Sequence, residues 1–162
     1  MRYQTKNKRV LGIDPGIANT GWAVVIKSPG GYRLVSEGLI QTDSKVSTGE
    51  RLLKHYQSLS EVVATHSPSL IALERCFHNK NISASQSTGA VIGIVHLIAA
   101  QLGCCAVREF TPQQVKACSG LGGRADKKQV AKMMCRKPFK RERLNPHVAD
   151  AIACAIAGLL SR

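Results

Sequence analysis

The stretch that most limits what this chain can become is residues 10–22, VLGIDPGIANTGW. A short apolar run, Val10, Leu11 and Ile13, ends in Asp14, and Pro15 and Gly16 forbid simple continuation of a paired strand. The carboxylate is therefore parked at a strand end. Gly12, Gly16 and Gly21 leave room for close backbone approach by something bulky, after which Trp22, Val24, Val25 and Ile26 begin a second strand. The product is a hairpin with an acidic group near its mouth.

Residues 31–42 alternate as a third strand after the turn signal Ser28-Pro29-Gly30-Gly31, so a three-stranded antiparallel meander is expected. From residue 48 to 66 the apolar residues Leu52, Leu53, Tyr56, Leu59, Val62 and Val63 recur at helical spacing, and Ser67-Pro68 stops the helix. Residues 69–74, SLIALE, read as a short strand buried on both faces, and this one also ends in a carboxylate, Glu74. A polar connection over residues 75–87 leads to a helix over 88–102 that is apolar around nearly its whole circumference. One protomer does not cover such a helix, so a helix-mediated homodimer is expected.

Residues 104–110 offer another strand, and Thr111-Pro112 opens a short helix ending by Gly120. A basic glycine loop, GLGGRADKK, precedes a helix from about residue 125 to 136. The run RKPFKRER over 136–143 suits either a solvated surface or a DNA contact. Asn145-Pro146 then caps and opens the last helix, HVADAIACAIAGLL, whose alanines permit tight packing on a sheet. Three strands, helix, strand, helix, strand and further helices describe a mixed α/β layer structure.

At 162 residues the chain suits one domain, residues 1–162, with no segment that reads as a linker. No apolar run is expected to cross a bilayer, and MRYQTKNKR lacks the apolar core of a secretory signal, so no membrane partner and a cytoplasmic location are expected. The six cysteines include no C-x-x-C pair and read as buried reduced thiols. Charge is more telling: 23 Lys and Arg against 10 Asp and Glu give a formal +13, which points to a polyanion, foremost nucleic acid. Aromatics make up only 4% of the chain, against a broad base-stacking platform.

Asp14 and Glu74 close two strands, while His147 and Asp150 lie about one turn apart on one face of the last helix. Asp150 is embedded in ADAIACAIA, a surface so apolar that its carboxylate faces burial. If this helix packs beside the two strands, the carboxylates converge. Two unit charges about 4 Å apart at an effective dielectric near 20 repel by roughly 4 kcal/mol, and a divalent cation relieves that. Oxygen donors suit Mg²⁺ or Mn²⁺ better than zinc. A pair of such ions can activate water and stabilise the leaving oxygen of a phosphodiester displacement. His147 fits either as a ligand or as the group that orients or deprotonates the water.

The combination GIDPG and TGW, then LERCFHNKN, then TPQQVK with GGRADKKQV, then NPHVADAIACAIA, resembles the RuvC-type Holliday junction resolvases of the ribonuclease H-like superfamily. The resemblance spans about residues 10–160 with four motifs in order. It implies a ribonuclease H-like α/β fold: a central five-stranded mixed sheet, the antiparallel meander plus parallel strands, flanked by helices. It also implies a homodimeric endonuclease that makes paired symmetric nicks in four-way junction DNA with Mg²⁺ or Mn²⁺, two ions per site, and no ATP. A branch-migration complex is a further partner it allows, in a bacterial, phage or organellar setting.

Carried over by position, Asp14, Glu74 and Asp150 match the family's metal-binding acids, and His147 falls where many members have a fourth acid and some have histidine. Phe77 matches an aromatic inserted among junction bases, and its place on a polar loop suits a wedge. Lys116 and Lys127 match phosphate-contacting lysines, with Lys80, Arg124 and Lys128 beside them in sequence, and Asn81 matches a polar loop residue that reads a base. Two other readings stay open: a non-catalytic junction-binding protein, and a nuclease of the same fold acting on structured RNA. An actin-like phosphotransferase is disfavoured, because it needs two related domains and a second D-x-G segment.

Overall fold

Strand β1 (Arg9–Asp14) lies near the middle of a five-stranded sheet in the order β3-β2-β1-β4-β5. The computed structural model describes residues 8–28, 31–75, 82–103, 105–118 and 145–161. Strands β2 (Asn19–Ser28) and β3 (Gly31–Gln41) extend β1 as the expected antiparallel meander, with a bulge between Val24 and Val25. Strands β4 (Leu70–Glu74) and β5 (Ala106–Phe110) add to its other side in parallel. Parallel neighbours need crossovers, which helix α1 (Thr48–His66) and helix α2 (Ile82–Leu102) provide.

Helix α1 has the bounds its periodicity predicts, and the cap shows why. Ser47 and Glu50 form a capping box, with the Ser47 hydroxyl accepting from the Glu50 amide and the Glu50 carboxylate accepting from the Ser47 amide. The Ser47 hydroxyl also donates to that carboxylate, and this bond, together with the one from the Ser47 amide, holds the Glu50 carboxyl below its ordinary pKa. At the far end Ser67 adopts a left-handed φ of 45°, and its amide donates to the Val63 carbonyl.

Two readings of the sequence need correction at α2. The helix starts at Ile82 rather than Thr88, so half of the polar connection is helical. Residues 82–87 hold neither Pro nor Gly, and their serines and glutamine cost a helix little once it is under way. In addition, its 85–102 stretch is long and apolar enough by length and composition to cross a bilayer, contrary to expectation. One side of it is packed: Val95, Ile98 and Ala99 are buried in one cluster with α1 and the sheet, and Val91 is buried as well, whereas only 22% of the stretch is covered.

Side-chain alternation along the strands builds two apolar layers. Leu11, Ile13, Val24, Ile71 and Leu73 meet α1 and α2 on one face. Val10, Ala23, Val25, Leu70, Ala72 and Phe110 meet helix α3 (Pro112–Cys118) and helix α4 (Pro146–Leu160) on the other. Of the described cysteines Cys154 is buried, whereas Cys105 and Cys118 are only half-buried. Burial pushes the Cys118 thiol up.

Candidate active site

Asp14 pairs with Gly21 at the end of the β1–β2 ladder, and Ile13 pairs with Leu73 of β4, so Asp14 and Glu74 close adjacent parallel strands at the same sheet edge. Alternation sets their side: Val10 and Ala72 face α4, so two-residue steps turn Asp14 and Glu74 toward that helix as well. Both are partly buried.

Helix α4 reaches this edge because glycine lets it. A Cβ on Gly12 would stand 1.9 Å from the Ala151 carbonyl oxygen, and one on Gly21 would stand 2.1 Å from the His147 carbonyl oxygen. The bulky thing for which the sequence left room is therefore the backbone of the final helix. Asn145 caps it, its side-chain oxygen accepting from the His147 amide at 3.0 Å, with Pro146 in the first turn. The first turns of α4 thus lie over the strand ends that carry the two acids.

One contact is fully formed there. His147 Nδ1 lies 2.7 Å from Asp14 Oδ2, and since a carboxylate only accepts, Nδ1–H is the donor. Asp14 is 13% exposed and His147 38% exposed, so the pair sits at the lip of the site rather than inside the core. Asp150, one turn on, is buried at 7% exposure among α4 alanines that are themselves fully covered. Among the described residues, no three His, Cys, Asp or Glu side chains stand close enough to make a ready-built ion site. The edge therefore brings the four predicted residues to one end of the sheet, and of them the structure joins Asp14 to His147 directly.

The donor chemistry nevertheless fits a hard cation. Three carboxylates and one imidazole, with no thiolate among these four, favour Mg²⁺ or Mn²⁺ over softer ions. Lys116 lies in the last turn of α3, whose Val115 is buried in the same cluster as α4, so it belongs to the site's side of the sheet. The other DNA-contact candidates, Phe77, Lys80, Asn81, Arg124, Lys127 and Lys128, lie outside the described residues, as do the glycine loop and the basic run. On the opposite face an open groove of about 380 Å³, lined by Trp22, Glu61, Val62 and His66, separates α1 from β2 and β3.

Sequence reasoning missed the residues that hold the turn after Asp14. His55 is fully buried and its Nε2 lies 3.0 Å from the Ile17 carbonyl oxygen, which Thr42 Oγ1 also engages. A histidine on the buried stripe of α1, between the apolar steps of that helix, was the available signal.

The profile of the family described as "Crossover junction endodeoxyribonuclease RuvC" matches residues 10–158. Relatives bearing that name include one from Roseiflexus sp. (strain RS-1), 39% identical over 91% of this chain and 88% of its own. Another, from Caldanaerobacter subterraneus, is 40% identical over 91% of this chain and 90% of its own. Among solved structures, "Thermus thermophilus RuvC structure" superposes with a TM-score of 0.81 at 30% identity, covering 92% of each chain. The same enzyme "in complex with Holliday junction substrate" gives 0.81 at 26% identity, covering 92% of this chain and 91% of its own. With a profile matched over nearly its full length and such relatives covered almost end to end, this chain belongs to the RuvC family of crossover junction endodeoxyribonucleases.

Proposed function

We propose that this chain is a structure-selective DNA endonuclease that resolves four-way junctions by paired nicks, with Asp14, Glu74, His147 and Asp150 as its catalytic set. The carrying observation is the Asp14–His147 contact at the edge where two parallel strands end and α4 begins. The junction-bound relative supports the substrate, and these relatives favour neither a non-catalytic nor an RNA-directed reading.

Asp14, Glu74 and Asp150 would hold Mg²⁺ or Mn²⁺, two per site, which when bound supply charge neutralisation and an acidified water. The chain's own contributions are legible separately. Donation of Nδ1–H to Asp14 leaves Nε2 as the nitrogen turned to a water, with the ring aimed by its carboxylate partner. That ring is exposed enough to meet a water and fixed enough to orient it, the arrangement of a general base. The net charge of +13 gathers the polyanionic substrate, and Lys116, Lys127, Lys128, Lys80 and Arg124 are the phosphate contacts in this reading, with Phe77 the wedge and Asn81 the base reader.

The reading includes a homodimer. Gly89 and Gly93 of α2 have nothing within 4 Å of an added Cβ, and Leu97 and Leu102 are 54% and 46% exposed, an outward apolar face that a second copy would cover. Sedimentation at micromolar concentration is expected to show a dimer in the parent and a monomer in Leu97→Asp; a monomeric parent removes this part. A cytoplasmic setting and a branch-migration partner go with the same reading.

The deciding experiment maps nicks on all four strands of a labelled mobile junction in Mg²⁺ and in EDTA. Symmetric nicks in two opposing strands, present only with the metal, are expected. Intact strands in Mg²⁺, or scattered cutting of linear duplex at the same rate, would refute it.

A further inference from the structure

The turn that carries the chain from Asp14 into β2 is held by groups outside the proposed chemistry. The Gly16 amide donates to Thr20 Oγ1 at 3.2 Å, and that hydroxyl donates to the Gly16 carbonyl at 2.8 Å. The Thr42 amide donates to the Ala18 carbonyl at 3.0 Å. Between them the Ile17 carbonyl receives two donors, Thr42 Oγ1 from β3's end and His55 Nε2 from α1.

The proton inventory leaves a single solution. A carbonyl only accepts, so His55 Nε2 carries a hydrogen. Thr42 gives its one hydroxyl hydrogen to Ile17 and accepts from Arg51 Nε at 2.9 Å, so its single donor is committed. His55 is completely buried, and its Nδ1 has no hydrogen-bond partner among the described residues. Leaving a buried polar atom unmatched costs about 1–3 kcal/mol, a penalty that leucine would avoid at this position. What the imidazole supplies at this position that leucine would not is the Nε2–H donor.

We infer that His55 is a positioning residue for the nuclease: its Nε2–H, with Thr42, clamps the Ile17 carbonyl and thereby fixes the aim of Asp14 toward His147. This inference rests on the functional reading above for its kinetic consequence, and on geometry alone for its structural one. The Ile17 carbonyl is three residues past Asp14, close enough that a loosened turn lets the carboxylate drift. A displacement of about 1 Å at reacting groups costs on the order of 10²-fold in rate, so a partial loosening should cost about 10-fold.

The test uses the 162-residue chain and three variants. Two-bond ¹H–¹⁵N correlation of the parent imidazoles is expected to show His55 protonated on Nε2 and bare on Nδ1; the opposite tautomer overturns the inference. In His55→Leu, which has no donor, the Asp14-bound Nδ1–H signal of His147 is expected to shift or broaden, whereas His55→Gln, whose amide can donate to the same carbonyl, retains it. Single-turnover nicking of a saturating four-way junction in Mg²⁺ should fall about 10-fold in His55→Leu, with junction affinity in EDTA within about 2-fold of the parent, and recover to within about 3-fold in His55→Gln. Parental cutting by His55→Leu, or equal loss in Leu and Gln variants, overturns the clamp. Thr42→Val removes the second donor and should move both readouts the same way, which keeps the idea testable if His55→Leu fails to fold. If the parent cuts no junction, the functional reading fails, while the two imidazole measurements still decide the clamp.

Discussion

In the proposed mechanism the chemistry converges on Asp14, which has a strand end beneath it, a histidine 2.7 Å away and a turn held from behind. Asp14→Asn keeps the shape and removes the charge, so nicking should drop by at least about 10³-fold while junction binding in EDTA survives within a few-fold; a variant that still cuts at the parental rate removes Asp14 from the site. His55 adds a pH signature of stability. Burial holds its pKa below 6.5, the Ile17 contact opposes this, and the Arg51 and Lys54 charges add to the lowering. The unfolded chain takes up a proton there at a higher pH than the folded one, so the stabilisation is complete above about 6.5 and is lost as pH falls from 6.5 toward the lower folded value. Thermal melts from pH 8 to 5 should show a steeper acid decline in the parent than in His55→Gln; parallel curves would contradict this.

At the scale of elements, the meeting of α4 with β1 and β2 decides whether the site exists. Gly12→Ala would drive a Cβ onto the Ala151 carbonyl and the Ala155 amide, backbone atoms that have no rotamer to yield. Urea unfolding should show a loss of about 3 kcal/mol, at the upper end for overpacking, together with loss of the His147–Asp14 proton signal. A variant of parental stability would mean that α4 sits farther from the sheet than described. Much of this architecture was readable beforehand because strand and helix periods differ sharply: the meander, α1 and the acid-terminated β4 all follow from them. The start of α2 did not, since polar helix-tolerant residues carry no period. The role of the strand glycines was half legible, in that the space was evident but its occupant, a helix about 130 residues later, was not.

For the molecule as a whole, the formal +13 is spread over a chain whose acidic groups include the three proposed to hold metal. Junction affinity should therefore fall steeply with salt, by on the order of 10³ to 10⁵ between 50 and 200 mM if about 6 to 10 phosphates are neutralised. Gel shifts that hold steady across that range would count against a phosphate-led interface. The four proposed site residues were legible from motif order, yet the contact between His147 and Asp14 at 2.7 Å was not, because spacing along the chain does not encode which side chains touch.

The seam between the last helix and the first two strands has a consequence for how such a site can change over time. Where two surfaces meet through side chains, a methylene gained or lost shifts their separation by small steps. Here peptide groups face bare α-carbons, so the gap between the two halves of the site has no such adjustment. In the proposed reading the chemistry of the site is then altered by exchanging the side chains that face the gap, not by widening it.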